Sequence, residues 1–406
     1  MKYEFFAPQR IVFGCGRRTE VGSLAAELGR RAYLVSGSRT LENDGQIAAI
    51  VEACQAGNVE CKHVTTISHE PVVRDVDETV KALKKLGASA DDVLIAVGGG
   101  SAIDLAKACS AMLTNTEGDS VQDYLEGVGR GLTIQQAPLP LMAMPTTAGT
   151  GTEATKNAVI SSFDPPFKKS LRSNQMVPKI VLIDPELSVS VPPTTTAYTG
   201  MDAITQLIES YISGRAQPIP QALCLQGLEL AIPAIVEAVE HGESRNARER
   251  MAHAALLSGM ALANSGLGFA HGVAPALGVH AKVPHGLACA VMLPWALKVN
   301  REVRLVEIAR IGRLIADLAT TTELEFVSDE MLGCLQGDDA DALANFAIES
   351  IDALCRRINI PTKLTEIGVQ PNQIAGIVKS ARGNSMSANP RHVDDDELTS
   401  LLEGLL

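Results

Sequence analysis

Four short apolar runs in the first half of the chain restrict its fold more than any other feature. They are AYLVSG around Leu34, VLIAVGGG around Ile95, LPLMAMPTT around Met142 and KIVLIDPEL around Leu182. Each run is almost continuously apolar and gives way to Gly, Pro or Thr, which is typical of a strand buried on both faces of a parallel sheet. Segments with helical spacing lie between the runs and end at Gly29 and Gly87. This alternation predicts a doubly wound α/β fold.

The pattern changes near residue 190, where strand-like runs almost disappear and long helical segments take over. A chain of 406 residues exceeds what one hydrophobic core usually spans, so two domains are expected. We predict an α/β domain at residues 1–190 and an all-α domain at residues 191–406. Because no Gly/Ser-rich linker separates the two domains, they are expected to pack firmly, with any cleft between them.

Charge and the lack of targeting signals restrict the class of protein. The net charge of -12 argues against nucleic acid as a partner. No apolar run approaches the roughly eighteen residues that span a bilayer. The N-terminal MKYEFFAPQR lacks the apolar core of a signal peptide. The sequence therefore predicts a soluble, cytoplasmic protein that does not enter a membrane.

The spacing of the cysteines does not match a disulfide framework. They number eight and lie at positions 15, 54, 61, 109, 224, 289, 334 and 355. No CxxC pair occurs, so we expect reduced thiols. Single cysteines in apolar company, such as Cys109 and Cys289, are interpreted as small core residues rather than as nucleophiles or thiolate ligands.

A glycine-rich turn joins the second predicted strand to the helix that follows. It consists of Gly98, Gly99, Gly100 and Ser101. Consecutive glycines let the backbone approach a ligand closely, and the start of a helix offers unpaired amide groups to phosphate. The turn predicts a pyrophosphate site, although its spacing is not GxGxxG and also suits an ordinary tight turn. Asp104 and Lys107 fall near one face of the helix, where either is also consistent with a solvated charge.

A second loop, rich in hydroxyl groups, follows the third predicted strand. Its small and polar residues are Thr146, Thr147, Gly149, Thr150, Gly151 and Thr152. Hydroxyls and bare amides suit an uncharged cofactor moiety such as a ribose or a nicotinamide amide. Ligands of open α/β sheets bind at the carboxyl ends of the strands, so the two loops together indicate one cofactor site.

Three of the eight histidines crowd into fifteen residues, at His271, His280 and His285. On one unbroken helix the first and last would lie about 21 Å apart. The glycines and prolines between them argue against such a helix. A turn would let both imidazoles reach one metal ion, as ligands at about 2.0–2.2 Å. The alternative is histidines that bond to backbone in a glycine-rich loop.

Asp202 and Gln206 lie four residues apart on a predicted helix and therefore share one face. Taken alone, Thr199 or Asp202 suits a cap at the start of the helix. For Asp202 taken alone, the cap is the favoured interpretation.

Taken in order, the motifs GGGSAID, PTTAGTGTE, GMDAITQ and the segment from His271 to His285 resemble the iron-containing (group III) alcohol dehydrogenases. The resemblance covers nearly the whole chain. It implies a dehydroquinate synthase-like fold, with an N-terminal dinucleotide-binding α/β domain and a C-terminal helical domain, and a homodimer or larger homo-oligomer. It also implies one divalent ion, Fe2+ or Zn2+, held by Asp202, Gln206, His271 and His285. The implied NAD(P)(H) site comprises Gly98, Gly99, Gly100, Ser101, Asp104, Thr146, Thr147, Thr150 and Lys169.

The chain departs from the family pattern at three places. Most members have His where this chain has Gln206, whose carboxamide oxygen is a harder and weaker donor, so the identity of the metal is open. A second His that relays a proton is replaced by Pro275, and His280 is the nearest substitute. Some NAD-specific members have Asp where this chain has Gly37. Ser38 and Arg39 follow, and Arg39 would pair the 2′-phosphate of NADP.

The resemblance implies reversible hydride transfer between NAD(P)(H) and a primary alcohol or aldehyde, with His285 and His280 as catalytic candidates. One alternative is a metal-free NAD(P)H reductase acting on an oxo-acid of the maleylacetate type. A second is a cyclase or lyase resembling dehydroquinate synthase, which would need more basic residues near the helical motifs. A third is a nucleotide-binding protein with a decayed site.

Overall fold

The computed structural model describes residues 2–335 and 337–406, and its chain divides into two compact units. The sheet unit comprises Phe6–Thr147 and Gly151–Val189. The helical unit comprises Ser190–Leu406 together with Ala148–Thr150 and the N-terminal segment Met1–Phe5, of which residues 2–5 are described. The domain boundary predicted near residue 190 lies next to Ser190, where the main segment of the helical unit begins.

Among the described residues, the strands all lie in the sheet unit, in which five α-helices alternate with them. The strands are β1 (Arg10–Phe13), β2 (Arg31–Ser36), β3 (Glu60–Thr66), β4 (Val93–Gly98), β5 (Leu141–Pro145), β6 (Asn157–Phe163), β7 (Pro166–Arg172) and β8 (Ile180–Ile183). The helices are α1 (Val21–Ala26), α2 (Arg39–Asn43), α3 (Gln46–Ala56), α4 (Val73–Lys85) and α5 (Gly100–Thr114). The four apolar runs of the sequence form β2, β4, β5 and β8, so the predicted buried strands are confirmed.

Six strands form a parallel sheet in the order β1-β8-β5-β4-β2-β3, and β6 and β7 form a separate antiparallel pair. From β2 the chain moves to β3 on one side and then returns to β4 on the other. The carboxyl ends of β2 and β4 therefore flank the switch point, where ligands of open α/β sheets bind.

Alternate residues of β2 pack into two different hydrophobic cores. On β2, Tyr33 and Val35 pack into one apolar cluster, whereas Ala32 and Leu34 pack into another. Successive side chains of a strand point to opposite faces, so both faces of the sheet are covered by helices. The doubly wound α/β architecture is confirmed.

The helical unit contains ten α-helices among the described residues. They are α6 (Pro193–Ile212), α7 (Pro218–Glu240), α8 (Arg245–Ser265), α9 (Phe269–Ala281), α10 (His285–Asn300), α11 (Leu305–Thr321), α12 (Asp329–Gly333), α13 (Ala340–Arg357), α14 (Ile374–Ser380) and α15 (Asp395–Glu403). They enclose one large apolar cluster. The predicted all-α character of the second half is confirmed.

The expectation that no apolar segment approaches the length of a membrane span was too strong. By length and composition, α7 could span a bilayer, and half of its most apolar window is buried inside the protein. Buried helices at the centre of a large core pass the same test of length and composition. The apolar composition of α7 is therefore explained by the hydrophobic core that this helix shares with its neighbours.

Candidate metal centre and cofactor loops

The carboxyl ends of β2 and β4 approach each other through two glycines. A Cβ atom added to Gly37 would lie 2.8 Å from the Cα of Gly98, and one added to Gly98 would lie 2.7 Å from the Cα of Gly37. Neither position has room for a side chain. Gly99 caps α5, and Gly100 and Ser101 form its first turn. The predicted phosphate turn thus joins a buried strand to the start of a fifteen-residue helix.

Asp104 and Lys107 form a buried polar cluster, and the alternative of solvated charges is wrong. Lys107, only 1% exposed, donates from Nζ to the hydroxyls of Thr152 at 2.9 Å and Thr155 at 2.8 Å. The Asp104 carboxylate accepts from the Thr152 hydroxyl and from the Val159 N–H at 3.0 Å. Burial lowers the pKa of Lys107 to about 8 and raises the pKa of Asp104. The cluster ties α5 to the loop and strand after β5.

Most of the other predicted cofactor residues follow the ends of strands, whereas Lys169 lies within β7. Thr146 donates its N–H to the carbonyl of Gly98 at 3.1 Å, and the Thr147 hydroxyl lies 3.1 Å from where a Cβ of Gly99 would be. Ser38 caps α2, and Arg39 is exposed at the first position of that helix. Thr150 belongs to the segment Ala148–Thr150 of the helical unit. Lys169 lies on β7. These roles in cofactor binding remain predictions.

Asp202 and Gln206 lie on one face of α6, both buried. Because α6 begins at Pro193, Asp202 is in the third turn and cannot cap the helix. Thr199 is also inside the helix, where its hydroxyl donates to the carbonyl of Thr195 at 2.9 Å. The capping interpretation of Asp202, favoured on sequence alone, is therefore wrong.

A turn separates the two histidines, as predicted. His271 lies in the first turn of α9, and His285 is the first residue of α10. Between the helices, Lys282 adopts a left-handed conformation with φ 57°. Pro275 does not end α9 but lies inside it. A Cβ atom on Gly286 would lie 2.4 Å from the carbonyl oxygen of Tyr198, so this glycine lets α10 approach α6.

Four side chains converge where α6, α9 and α10 meet. Donor atoms of Asp202, His271, His285 and Cys289 all lie within 4.8 Å of one another. Nε2 of His271 lies 3.1 Å from Oδ1 of Asp202, and Nε2 of His285 lies 3.8 Å from the same oxygen. A carboxylate, two imidazoles and a thiol are donors that bind Zn2+ or Fe2+. The residues present therefore suit a divalent ion.

Glu209 holds His271 in the orientation that a ligand needs. Its carboxylate accepts N–H groups from Gly268 at 3.2 Å, Ala270 at 2.6 Å and His271 at 3.2 Å, at the start of α9. The same carboxylate lies 2.8 Å from Nδ1 of the His271 ring. A proton on Nδ1 leaves the lone pair of Nε2 directed at Asp202, which is the carboxylate–histidine arrangement of metal sites. Sequence reasoning missed Glu209.

The electrostatics of the cluster favour a cation. Burial alone would lower the pKa of His271, but Cys289, Asp202 and Glu209 together raise that pKa well above its usual value. Burial alone would raise the pKa of Asp202, but His285 and His271 bring that pKa below its usual value. Burial raises the pKa of the Cys289 thiol to about 12.

Gln206 and His280 make other contacts. Oε1 of Gln206 accepts a hydrogen bond from the Ser258 hydroxyl at 2.7 Å. His280 lies on α9, not in a loop, and its Nε2 lies 2.8 Å from the Ser380 hydroxyl. Nine helical residues place His280 about 13.5 Å along the axis from His271 and on the opposite face. The role of His280 as a proton relay remains a prediction, and its position on the opposite face of α9 from His271 does not favour that role.

Comparison with known proteins gives one consistent result. The sequence model described as iron-containing alcohol dehydrogenase matches residues 8–185, and that of the C-terminal part of the same family matches residues 196–406. The chain is 30% identical over 408 residues to NADPH-dependent butanol dehydrogenase of Clostridium saccharobutylicum, which covers 98% of this chain and 97% of that protein. It is 28% identical over 403 residues to NAD-dependent methanol dehydrogenase of Bacillus methanolicus, with 99% of each covered.

Solved structures agree with the sequence comparison. The crystal structure of 1,3-propanediol oxidoreductase matches with a TM-score of 0.89 and 27% identity, and the match covers 100% of both chains. The dehydroquinate synthase-like fold implied by the sequence is confirmed. Both halves of the chain match one family in the order that its motifs predicted, and the chain therefore belongs to the iron-containing alcohol dehydrogenase family.

Proposed function

We propose that this protein is a metal-dependent oxidoreductase that transfers a hydride between NAD(P)(H) and a primary alcohol or its aldehyde. The buried cluster of Asp202, His271 and His285, with Glu209 orienting His271, is the observation that supports it most strongly. The relatives whose names specify butanol and methanol dehydrogenases support an alcohol as the substrate.

In this proposal the helical unit positions the substrate oxygen. A divalent ion bound to Asp202, His271 and His285 would supply Lewis acidity to that oxygen as it becomes anionic. Asp202 contributes the negative charge of the set, and Glu209 keeps Nε2 of His271 free to donate its lone pair. One carboxylate and two neutral imidazoles leave such a site net positive, which suits an oxygen that gains negative charge.

The sheet unit binds the dinucleotide in this proposal. The first turn of α5 offers backbone N–H groups to the pyrophosphate. Gly37 and Gly98 let the ends of β2 and β4 lie close together, because neither residue has a side chain to separate them. Thr146 and Thr147 follow β5 at the same edge of the sheet and supply hydroxyls for uncharged parts of the cofactor.

Removal of the metal tests the proposed function. Treatment with a chelator is expected to lower the oxidation of a primary alcohol at least about 100-fold, because Lewis acidity contributes several kcal/mol. Adding Zn2+ or Fe2+ back should restore the rate. Elemental analysis of protein purified without chelator should find one ion per chain. Full activity in protein without metal would instead support a metal-free reductase.

Arg39→Ala tests the predicted use of NADP. A charge-assisted hydrogen bond contributes about 1.5–3 kcal/mol, so the KM for NADPH is expected to rise at least about 10-fold while the KM for NADH stays constant. Arg30→Ala, at another exposed arginine of the sheet unit, is the matched control. Gly37→Asp is unsuitable because of the contact with Gly98. A rise of both KM values by the same factor would refute a contact between Arg39 and the 2′-phosphate.

We also propose a cytoplasmic homodimer. No disulfide bond joins any of the eight cysteines, which is typical of a reducing compartment. The strand β1 lies at the edge of the six-stranded sheet, and edge strands are surfaces at which a second chain can add to a sheet. Sedimentation equilibrium measures the oligomeric state directly, and a monomer at micromolar concentration would exclude the dimer.

A further inference from the structure

We infer that Cys289 is a ligand of the metal, through its thiolate, and completes the set of Asp202, His271 and His285 in place of Gln206. The inference rests on the proposed function only in that a divalent ion binds at this cluster. It changes the expected ion, because a thiolate favours Zn2+ over Fe2+. It also corrects the interpretation of Cys289 as a simple core residue.

The distances between donor atoms suit four ligands of one ion. In a tetrahedral site with bonds of about 2.0–2.3 Å, neighbouring donors lie about 3.3–3.8 Å apart. Sγ of Cys289 lies 3.7 Å from Nε2 of His285. Oδ1 of Asp202 lies 3.8 Å from the same nitrogen and 3.1 Å from Nε2 of His271. These three separations are close to the edges of such a tetrahedron.

The helix α10 explains why Cys289 reaches the site. His285 and Cys289 lie four residues apart, so they share one face and are one turn apart. His285 is itself part of the cluster, and Cys289 therefore faces the same point from one turn deeper in the helix. The side chain of Cys289 is fully buried.

Gln206 is the competing candidate and is already engaged. Its carboxamide oxygen accepts a hydrogen bond from the hydroxyl of Ser258. Ser258 is a buried residue of α8. Ligation by that oxygen would have to share it with this hydrogen bond. The hydrogen bond to a neighbouring helix is enough to account for a buried carboxamide at this position, so no metal ion is needed to explain it.

The charge of the site changes with this assignment. A carboxylate and a thiolate together neutralise a 2+ ion, whereas Asp202 alone leaves a net positive charge. The polarising power of the site is therefore expected to be lower than that of a set with only one anion. Thiolate ligands also exclude hard ions such as Mg2+ from the site.

Cobalt substitution tests the assignment by spectroscopy. The purified full-length protein is stripped of metal and loaded with Co2+, and its absorption is recorded. Ligation by Cys289 is expected to give an intense thiolate-to-cobalt charge-transfer band in the near ultraviolet, and Cys289→Ser is expected to remove it. The affinity of Cys289→Ser for Co2+ should fall at least about 10-fold, since even groups that only orient ligands contribute 10–100-fold.

Two further variants separate ligation from disturbance of the fold. Cys224→Ala changes another fully buried cysteine of the helical unit and should keep the band. Gln206→Ala should keep both the band and the affinity within about 3-fold. Circular dichroism of each variant checks that the helices are intact.

The outcomes distinguish this inference from the proposed function. Stoichiometric Co2+ without a charge-transfer band, or a band that persists in Cys289→Ser, would overturn thiolate ligation. If that protein still oxidises an alcohol, the proposed function stands and only the ligand assignment fails. A band that depends on Cys289 in a protein without dehydrogenase activity would support the ligand and refute the function.

Discussion

Replacing Asp202 with alanine is expected to lower kcat/KM for alcohol oxidation at least about 1000-fold, the largest effect on activity that we predict for a single side chain. Loss of about 4 kcal/mol of charge stabilisation corresponds to this factor. Asp202 is 1% exposed and lies within 3.8 Å of both imidazoles. Without its charge the site should no longer retain an ion, which elemental analysis of the purified variant measures.

Asp317→Ala is the control for removal of a carboxylate in the helical unit. Asp317 is exposed on α11, and its replacement should leave both activity and metal content unchanged. If Asp202→Ala kept its metal and lost less than about 10-fold in kcat/KM, the cluster would not be the catalytic metal site.

The largest effect on stability is expected for Lys107→Met in the sheet unit. Methionine fills a similar volume but leaves the hydroxyls of Thr152 and Thr155 without their shared donor. It also removes the positive charge that lies 4.0 Å from the Asp104 carboxylate. Removing one partner of a buried charged network costs about 3–5 kcal/mol. The free energy of opening of the sheet unit should fall by that amount.

Hydrogen–deuterium exchange of peptides from α5 and β6 measures this loss within the sheet unit. Lys84→Met is the control, because Lys84 is exposed on α4 and should alter exchange by less than about 0.5 kcal/mol. The single tryptophan, Trp295, lies on α10, so its fluorescence reports on the helical unit and is expected to be unaffected. Unchanged protection in Lys107→Met would show that the network contributes no stability.

Much of the fold was predictable because its central strands are buried on both faces. The runs that form β2, β4, β5 and β8 are apolar throughout and therefore stand out in the sequence. The edge strand β3 was missed, since Glu60, Lys62 and His63 are exposed and the segment lacks a continuous apolar run. The β6–β7 pair was missed because Lys168 and Lys169 interrupt the apolar residues of its second strand.

The candidate site was predictable only in part. Asp202, His271 and His285 were identified by residue type and by their resemblance to family motifs. Glu209 could not be identified, because a carboxylate on a helix gains its role only when α6 and α9 are brought together. Cys289 carried a usable signal, since it follows His285 by one helical turn, but its apolar neighbours favoured the interpretation as a core residue.

The contacts of Glu209 also bear on when the metal enters. Four N–H groups, three from the backbone at the start of α9 and one from the ring of His271, share this carboxylate. Rotation of the ring would break one of these bonds inside a dry core, so the ligand is held in place by the polypeptide itself. Loading then requires no refolding of α6 or α9, so the ion can be added to the chain after it has folded.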